Sequence, residues 1–140
     1  MAVIMDVGDE WNIHPADKKA PGTRLALLAL AKTYGLQGFA YESPNYDSLF
    51  IKDTVAIVKL SPAPNGLTAF GKPLKNFEIA GSDRVFYPAN AAIAGGGTVR
   101  VWAKEVPTPV AVRYAFKNWV VGDLFSTEGL PVSSFRTDSW

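Results

Sequence analysis

The sequence has no cysteine and only one histidine among its 140 residues. Without cysteine there are no disulfides, no thiolate nucleophile and no cysteine-ligated zinc, although this alone assigns no compartment. With one histidine there is no cluster that would hold a transition metal, so neither a metal nor another cofactor is expected. Charge of one sign is missing as well: 14 Lys and Arg face 13 Asp and Glu, a formal net charge of +1. No basic run is present to neutralise a phosphate backbone, so no nucleic-acid partner is expected. Long apolar runs are also missing. Arg24 and Lys32 bracket the longest one, which falls short of the roughly 20 residues that span a bilayer, so no membrane partner is expected. The first residues do not read as a signal peptide. Gly95-Gly96-Gly97 lacks the Lys-Ser or Lys-Thr and the helix that follow a phosphate-binding loop, and reads as a hairpin turn.

What is present is a core-forming composition, 48% hydrophobic and 19% charged. It suits one domain, or a small domain plus a piece of another. The character of the chain changes between Gly35 and Pro44. Before that point, Ala2-Val3-Ile4-Met5-Asp6-Val7 reads as a buried strand. Gly22 to Tyr34 reads as a helix rich in Leu and Ala, apolar around most of its circumference and ended by Gly35 in the left-handed conformation. Pro15 and Asp17 are compatible with an earlier start, in which case Pro21 predicts a kink or a broken first segment. After that point, short β-type runs alternate with Gly, Pro, Asn and Asp. They are Ser48–Lys52 and Thr54–Leu60, pairing as a hairpin around Asp53, then Leu67–Phe70 after an Asn65-Gly66 turn, Phe77–Ala80, Val85–Tyr87, Ala89–Ile93, Thr98–Trp102 and Val110–Phe116. Strands this short and this closely spaced predict an antiparallel sandwich. The tail from Asp123 to Trp140 has no period and reads as extended chain packed on the rest.

His14, the one histidine, lies in Gly8-Asp9-Glu10-Trp11-Asn12-Ile13-His14-Pro15, the loop after the first apolar run. α/β-Hydrolases place a general base on such a loop. Asp9 and Glu10 are near enough in sequence to orient the ring, or they simply solvate the loop. Trp11 is read either as a sugar-stacking platform or as packing against the strand edge. Trp102, Tyr114 and Phe116 fall on strand patterns and are expected in the core. Arg113 is expected to face solvent or to pair across an inter-domain seam, and Arg136 and Asp138 to tie the tail down.

Two stretches carry a resemblance to a known family. Asp6-Val7-Gly8-Asp9 through Ile13-His14-Pro15, Lys18 and Gly22 to Ala31 is similar to a D-x-G … I-H-P-x-x-K … G-x-R-L-A-L-x-A-L-A block. Gly129-Leu130-Pro131-Val132-Ser133-Ser134-Phe135-Arg136-Thr137-Asp138 is similar to a closing G-L-P-x-S-x-F-R-T-D. Phe77–Gly81 and Pro109–Tyr114 also look familial. The chain thus resembles the C-terminal portion of the sialate O-acetylesterases, carbohydrate esterases of the SGNH (GDSL-type) class.

That resemblance implies serine-dependent hydrolysis of sugar acetyl esters, with His14 as general base and acetylated sialic acid or another glycan as the substrate partner. It places the nucleophilic serine and the oxyanion hole in an N-terminal SGNH portion preceding Met1, and implies a periplasmic or secreted protein. The triad acid is left open. The class has an Asp three positions before the histidine, where this chain has Trp11; the family often has one two positions before, where this chain has Asn12. Asp9 and Asn12 are the candidate orienting groups, and Trp11 is the candidate substrate contact.

The fold expected is α+β: residues 1–40 as the C-terminal strand, loop and helix of an SGNH α/β hydrolase domain, followed by an antiparallel β-sandwich over 45–140. Two other readings stand beside the esterase one. In the first, the sandwich is a non-catalytic module that binds carbohydrate or braces the enzyme. In the second, the chain is a degenerate family member.

Overall fold

A computed structural model describes all 140 residues. One helix, α1 (Lys19–Lys32), precedes ten strands: β1 (Asn45–Lys52), β2 (Val55–Ser61), β3 (Leu67–Thr68), β4 (Phe77–Ala80), β5 (Phe86–Pro88), β6 (Asn90–Ala94), β7 (Thr98–Trp102), β8 (Ala111–Tyr114), β9 (Phe125–Ser126) and β10 (Phe135–Arg136). The chain is α+β, and all its strand pairs are antiparallel. There are two four-stranded sheets, ordered β1-β2-β7-β6 and β10-β8-β4-β5, and a separate short β3-β9 pair.

Alternation builds the core. In β2 the inward residues Ala56, Val58 and Leu60 are fully buried, while Val55, Ile57 and Lys59 are only partly covered. Val99 and Val101 do the same on the neighbouring β7, and Phe77 and Ile79, and Val112 and Tyr114, on the other sheet. The 16-residue core cluster draws only on positions 56 to 135. Such facing apolar rows are what hold two sheets together. Phe77, Tyr114 and Phe135 stack among themselves at centroid distances of 4.8, 5.8 and 6.4 Å, and Tyr46 stacks on Phe135 at 5.4 Å.

Turn chemistry sets the register. Asp53, in the left-handed region at φ 55°, closes the β1–β2 hairpin. The three glycines join β6 to β7 with Ala94 opposite Thr98, as a plain hairpin turn. Gly96 and Gly97 there have φ of 67° and 72°, which a residue with a Cβ adopts at a cost.

The tail packs through specific bonds. The buried Tyr114 hydroxyl accepts from the backbone N–H of Asp123 (3.0 Å) and Leu124 (2.9 Å) and donates to the Asp123 carboxylate (3.2 Å). Burial, and then the charge of Asp123, pushes the Tyr114 pKa far above its ordinary 10.0. The extended tail also gains two short strands, β9 and β10, because β3 and β8 offer free edges.

Several sequence expectations are corrected. Residues 2–7 form no strand. Met5, Asp6 and Val7 make a turn closed by Val7 N–H donating to the Ile4 carbonyl at 3.2 Å. A strand needs a neighbour for its backbone groups, and no strand of this chain lies beside the segment. The helix starts at Lys19 rather than Gly22, and Pro21 causes no break. In the first turn its missing N–H has no intrahelical acceptor to lose. Asp17 accepts from Ala20 N–H at 3.0 Å just ahead of the helix, and Gly35 follows it at φ 70°. Phe116 is exposed rather than in the core, and Trp102 is half-buried; of the three aromatics only Tyr114 is fully enclosed.

Arg113 is partly exposed and pairs within the sandwich. It forms a two-pronged ion pair with Asp138 at 2.9 and 2.8 Å, and its guanidinium lies 3.8 Å over the Phe86 ring. The Asp138 side chain is fully buried, and hydrogen bonding from Arg113 holds its pKa below the usual carboxylate value. Arg136 reaches Asp138 only at 3.8 Å, so the tail is tied by Arg113 more than by Arg136.

Candidate functional site

The loop that carries His14 is shaped by short polar side chains bonding to nearby backbone. Asp9 Oδ1 accepts from Trp11 N–H at 2.9 Å, and Asn12 Oδ1 accepts from His14 N–H at 2.9 Å. Asp and Asn favour such two-residue loops because their carboxylate or amide oxygen stands in for a backbone acceptor. Pro15, Ala16 and Asp17 then lead into α1. The far side of the loop is held by Arg24 of α1, which grips Asp6 through two bonds of 2.6 and 2.7 Å and the Val3 carbonyl at 2.9 Å.

His14 is solvent-exposed, and the one hydrogen bond of its residue is made by its backbone N–H. Trp11 is 89% exposed and does not pack on a strand edge. Asp9, Trp11, Asn12 and His14 therefore share one open loop. Asp9 and Asn12 bond to backbone, not to the imidazole. Glu10 is exposed on the same loop. Chemically, the loop offers an accessible imidazole with a fixed backbone and an exposed indole nearby.

Beside the root of this loop is a cleft of about 220 Å³. One wall is Ile4, Met5, Val7, Gly8 and Asp9; the other is the segment from Lys117 to Val121, which follows β8. The walls are joined where Gly122 N–H donates to the Met5 carbonyl at 2.6 Å. A Cβ on Gly122 would lie 3.1 Å from the Met5 Cβ, so the close approach depends on glycine. Nothing in the local sequence pattern points to this cleft beyond Trp119 and Asn118 in a stretch without strand alternation, since its walls are over 100 residues apart in the chain.

No family model matches the sequence, and no match is found among curated proteins. Among solved structures, a carbohydrate acetylesterase from Xanthomonas citri superposes with a TM-score of 0.88 over 99% of this chain, at 37% sequence identity. The chain is similar to one part of a carbohydrate acetylesterase. It covers 32% of the length of that esterase. The similarity runs through both the His14 loop and the sandwich, since almost no residue lies outside it.

Proposed function

We propose that this chain is the base-supplying part of a serine-dependent carbohydrate O-acetylesterase. The observation that carries the reading is an exposed imidazole on a backbone-braced loop, within a chain similar over 99% of its length to a carbohydrate acetylesterase. The family resemblance of the His14 block narrows the reading to SGNH-type chemistry on acetylated sialic acid or a related glycan.

In this mechanism a serine hydroxyl from the N-terminal SGNH portion of the same protein attacks the acetyl carbonyl. His14 takes the hydroxyl proton and returns it to the departing sugar oxygen. A water molecule then repeats the cycle and releases acetate. Asn12 acts as a positioning residue through the His14 backbone, Asp9 braces the loop one turn earlier, and Trp11 offers a stacking face to the sugar. The same SGNH portion covers α1, whose Leu25 is 59% exposed.

The test is acetyl-ester hydrolysis by the longer protein. His14→Ala should lower kcat/KM on the order of 10⁴-fold or more, while the 140-residue chain alone should hydrolyse p-nitrophenyl acetate no faster than free imidazole. A longer protein that stays active with His14→Ala ends the proposal. A second reading, a sandwich that binds glycan or braces the enzyme without catalysing, is favoured by one observation: the core cluster is complete within residues 56 to 135. Sugar binding by the sandwich with no hydrolysis by the longer protein would select it.

A further inference from the structure

The cleft between the root of the His14 loop and the segment after β8 has the makings of a ligand site that the base chemistry does not use. Its second wall presents Trp119, 45% exposed, with Asn118 and Lys117 beside it. Phe77, Tyr114, Phe135, Tyr46, Phe70 and Phe125 all pair with other rings. The Trp119 indole makes no such pair and stays open to the cleft. Asn118 is exposed, and its side-chain amide offers both donors and an acceptor. Lys117 is held only loosely, 3.9 Å from Glu78 and half exposed, so its ammonium donors are available. On the opposite wall, one Asp9 oxygen holds the Trp11 N–H and leaves the other free.

A flat apolar ring flanked by an amide, an ammonium and a carboxylate matches a pyranose. One face of a pyranose presents C–H groups for stacking, and its rim presents hydroxyls that both donate and accept. The cleft, at about 220 Å³, falls just under the range of roughly 300 to 1,000 Å³ typical of drug-sized ligands, a size suited to one sugar ring. The Gly122–Met5 bond fixes the spacing of the two walls before any ligand arrives, which lowers the ordering cost of binding.

We propose that this cleft is a sugar-binding subsite, in which a pyranose stacks on Trp119, bonds to Asn118 and Asp9, and is thereby held next to the loop that carries His14. The role assigned to it in feeding the ester to the base rests on the esterase reading; the binding itself does not. The site makes the sandwich a specificity element, because its stacking ring and one of its two polar contacts come from the segment after β8.

The experiment is a titration of the ¹⁵N-labelled 140-residue chain with methyl β-D-xylopyranoside and with N-acetylneuraminic acid, with glycerol as the acyclic control, read by NMR at the Trp119 indole N–H and the Asn118 amide. Saturable shifts at both groups with at least one sugar and none with glycerol are expected. Trp119→Ala should weaken binding roughly tenfold. Asn118→Ala should weaken it severalfold. Phe50→Ala, at an exposed aromatic of β1 outside the cleft, should leave it unchanged. Absence of saturable shifts with either sugar overturns the proposal, as does binding that survives Trp119→Ala intact or is lost in Phe50→Ala. The two readings fail separately. An active His14→Ala enzyme whose chain still binds sugar removes the catalytic reading and keeps the subsite; an inactive one whose chain binds no sugar does the reverse.

Discussion

Residues 1 to 42 and residues 43 to 140 are both rich in apolar side chains, yet they use them differently. Of the 28 buried residues, only Val3 lies in the first region. Helix α1 buries none of its own, although Leu25, Leu27, Leu28 and Leu30 make it one of the most apolar stretches of the chain. In the second region Val and Ile at alternate positions reach complete burial because each sheet finds the other. Apolar composition therefore does not by itself produce a core. A helix that is apolar around most of its circumference needs cover on several sides, and the sandwich meets the first region mainly through the Met5–Gly122 bond and the cleft beside the 128–130 turn.

The contrast predicts unequal responses to the same kind of truncation. Ile79→Ala, at a fully buried core position, should cost about 3 to 4 kcal/mol in urea unfolding of the 140-residue chain. Leu25→Ala should cost under about 0.5 kcal/mol in the same chain, since it removes little buried area. A Leu25→Ala cost as large as that of Ile79→Ala would erase the distinction between the regions.

The next effect is electrostatic and belongs to the sandwich. Asp138→Asn should destabilise the chain by about 2 to 3 kcal/mol at pH 7, toward the low end for a broken buried pair because Arg113 keeps some access to water. The sign with pH follows from the lowered folded-state pKa of Asp138. Its contribution is fully present above the unfolded carboxylate value near 4 and is lost as the pH falls through the lower folded value. Stability measured from pH 7 to pH 2 should therefore fall less steeply in Asp138→Asn than in the parent chain. Parallel curves would remove the Arg113 pair as the cause.

A smaller effect than that of Asp138→Asn should fall on the first region alone. Arg24→Lys keeps the charge but loses the two-pronged grip on Asp6. A global cost of about 1 kcal/mol or less is expected, with faster amide exchange confined to Lys19–Lys32. Faster exchange in β2 or β8 as well would mean that the helix is coupled to the core.

Much of the sandwich was readable in the sequence because its signals are local. Phe77–Ala80 and Thr98–Trp102 are strands with the expected ends, Asp53 closes the hairpin, and the three glycines turn a strand rather than hold a phosphate. The site was only partly readable. Asp9, Trp11, Asn12 and His14 do share one exposed loop. The bonds of Asp9 and Asn12 to backbone rather than to the ring depend on how the loop closes, which residue type alone does not specify.

By itself the sequence determined where the chain alternates, where it turns and that one helix stops before Gly35, since these follow from side-chain periodicity and from backbone preferences acting over a few residues. The tertiary structure alone decided that Ala2 to Val7 is not a strand, that Arg113 pairs with Asp138, that Phe116 faces water and that Met5 meets Gly122. Each of these depends on which distant segment arrives as a neighbour, and hydrogen-bond satisfaction and close packing are settled only once that neighbour is in place.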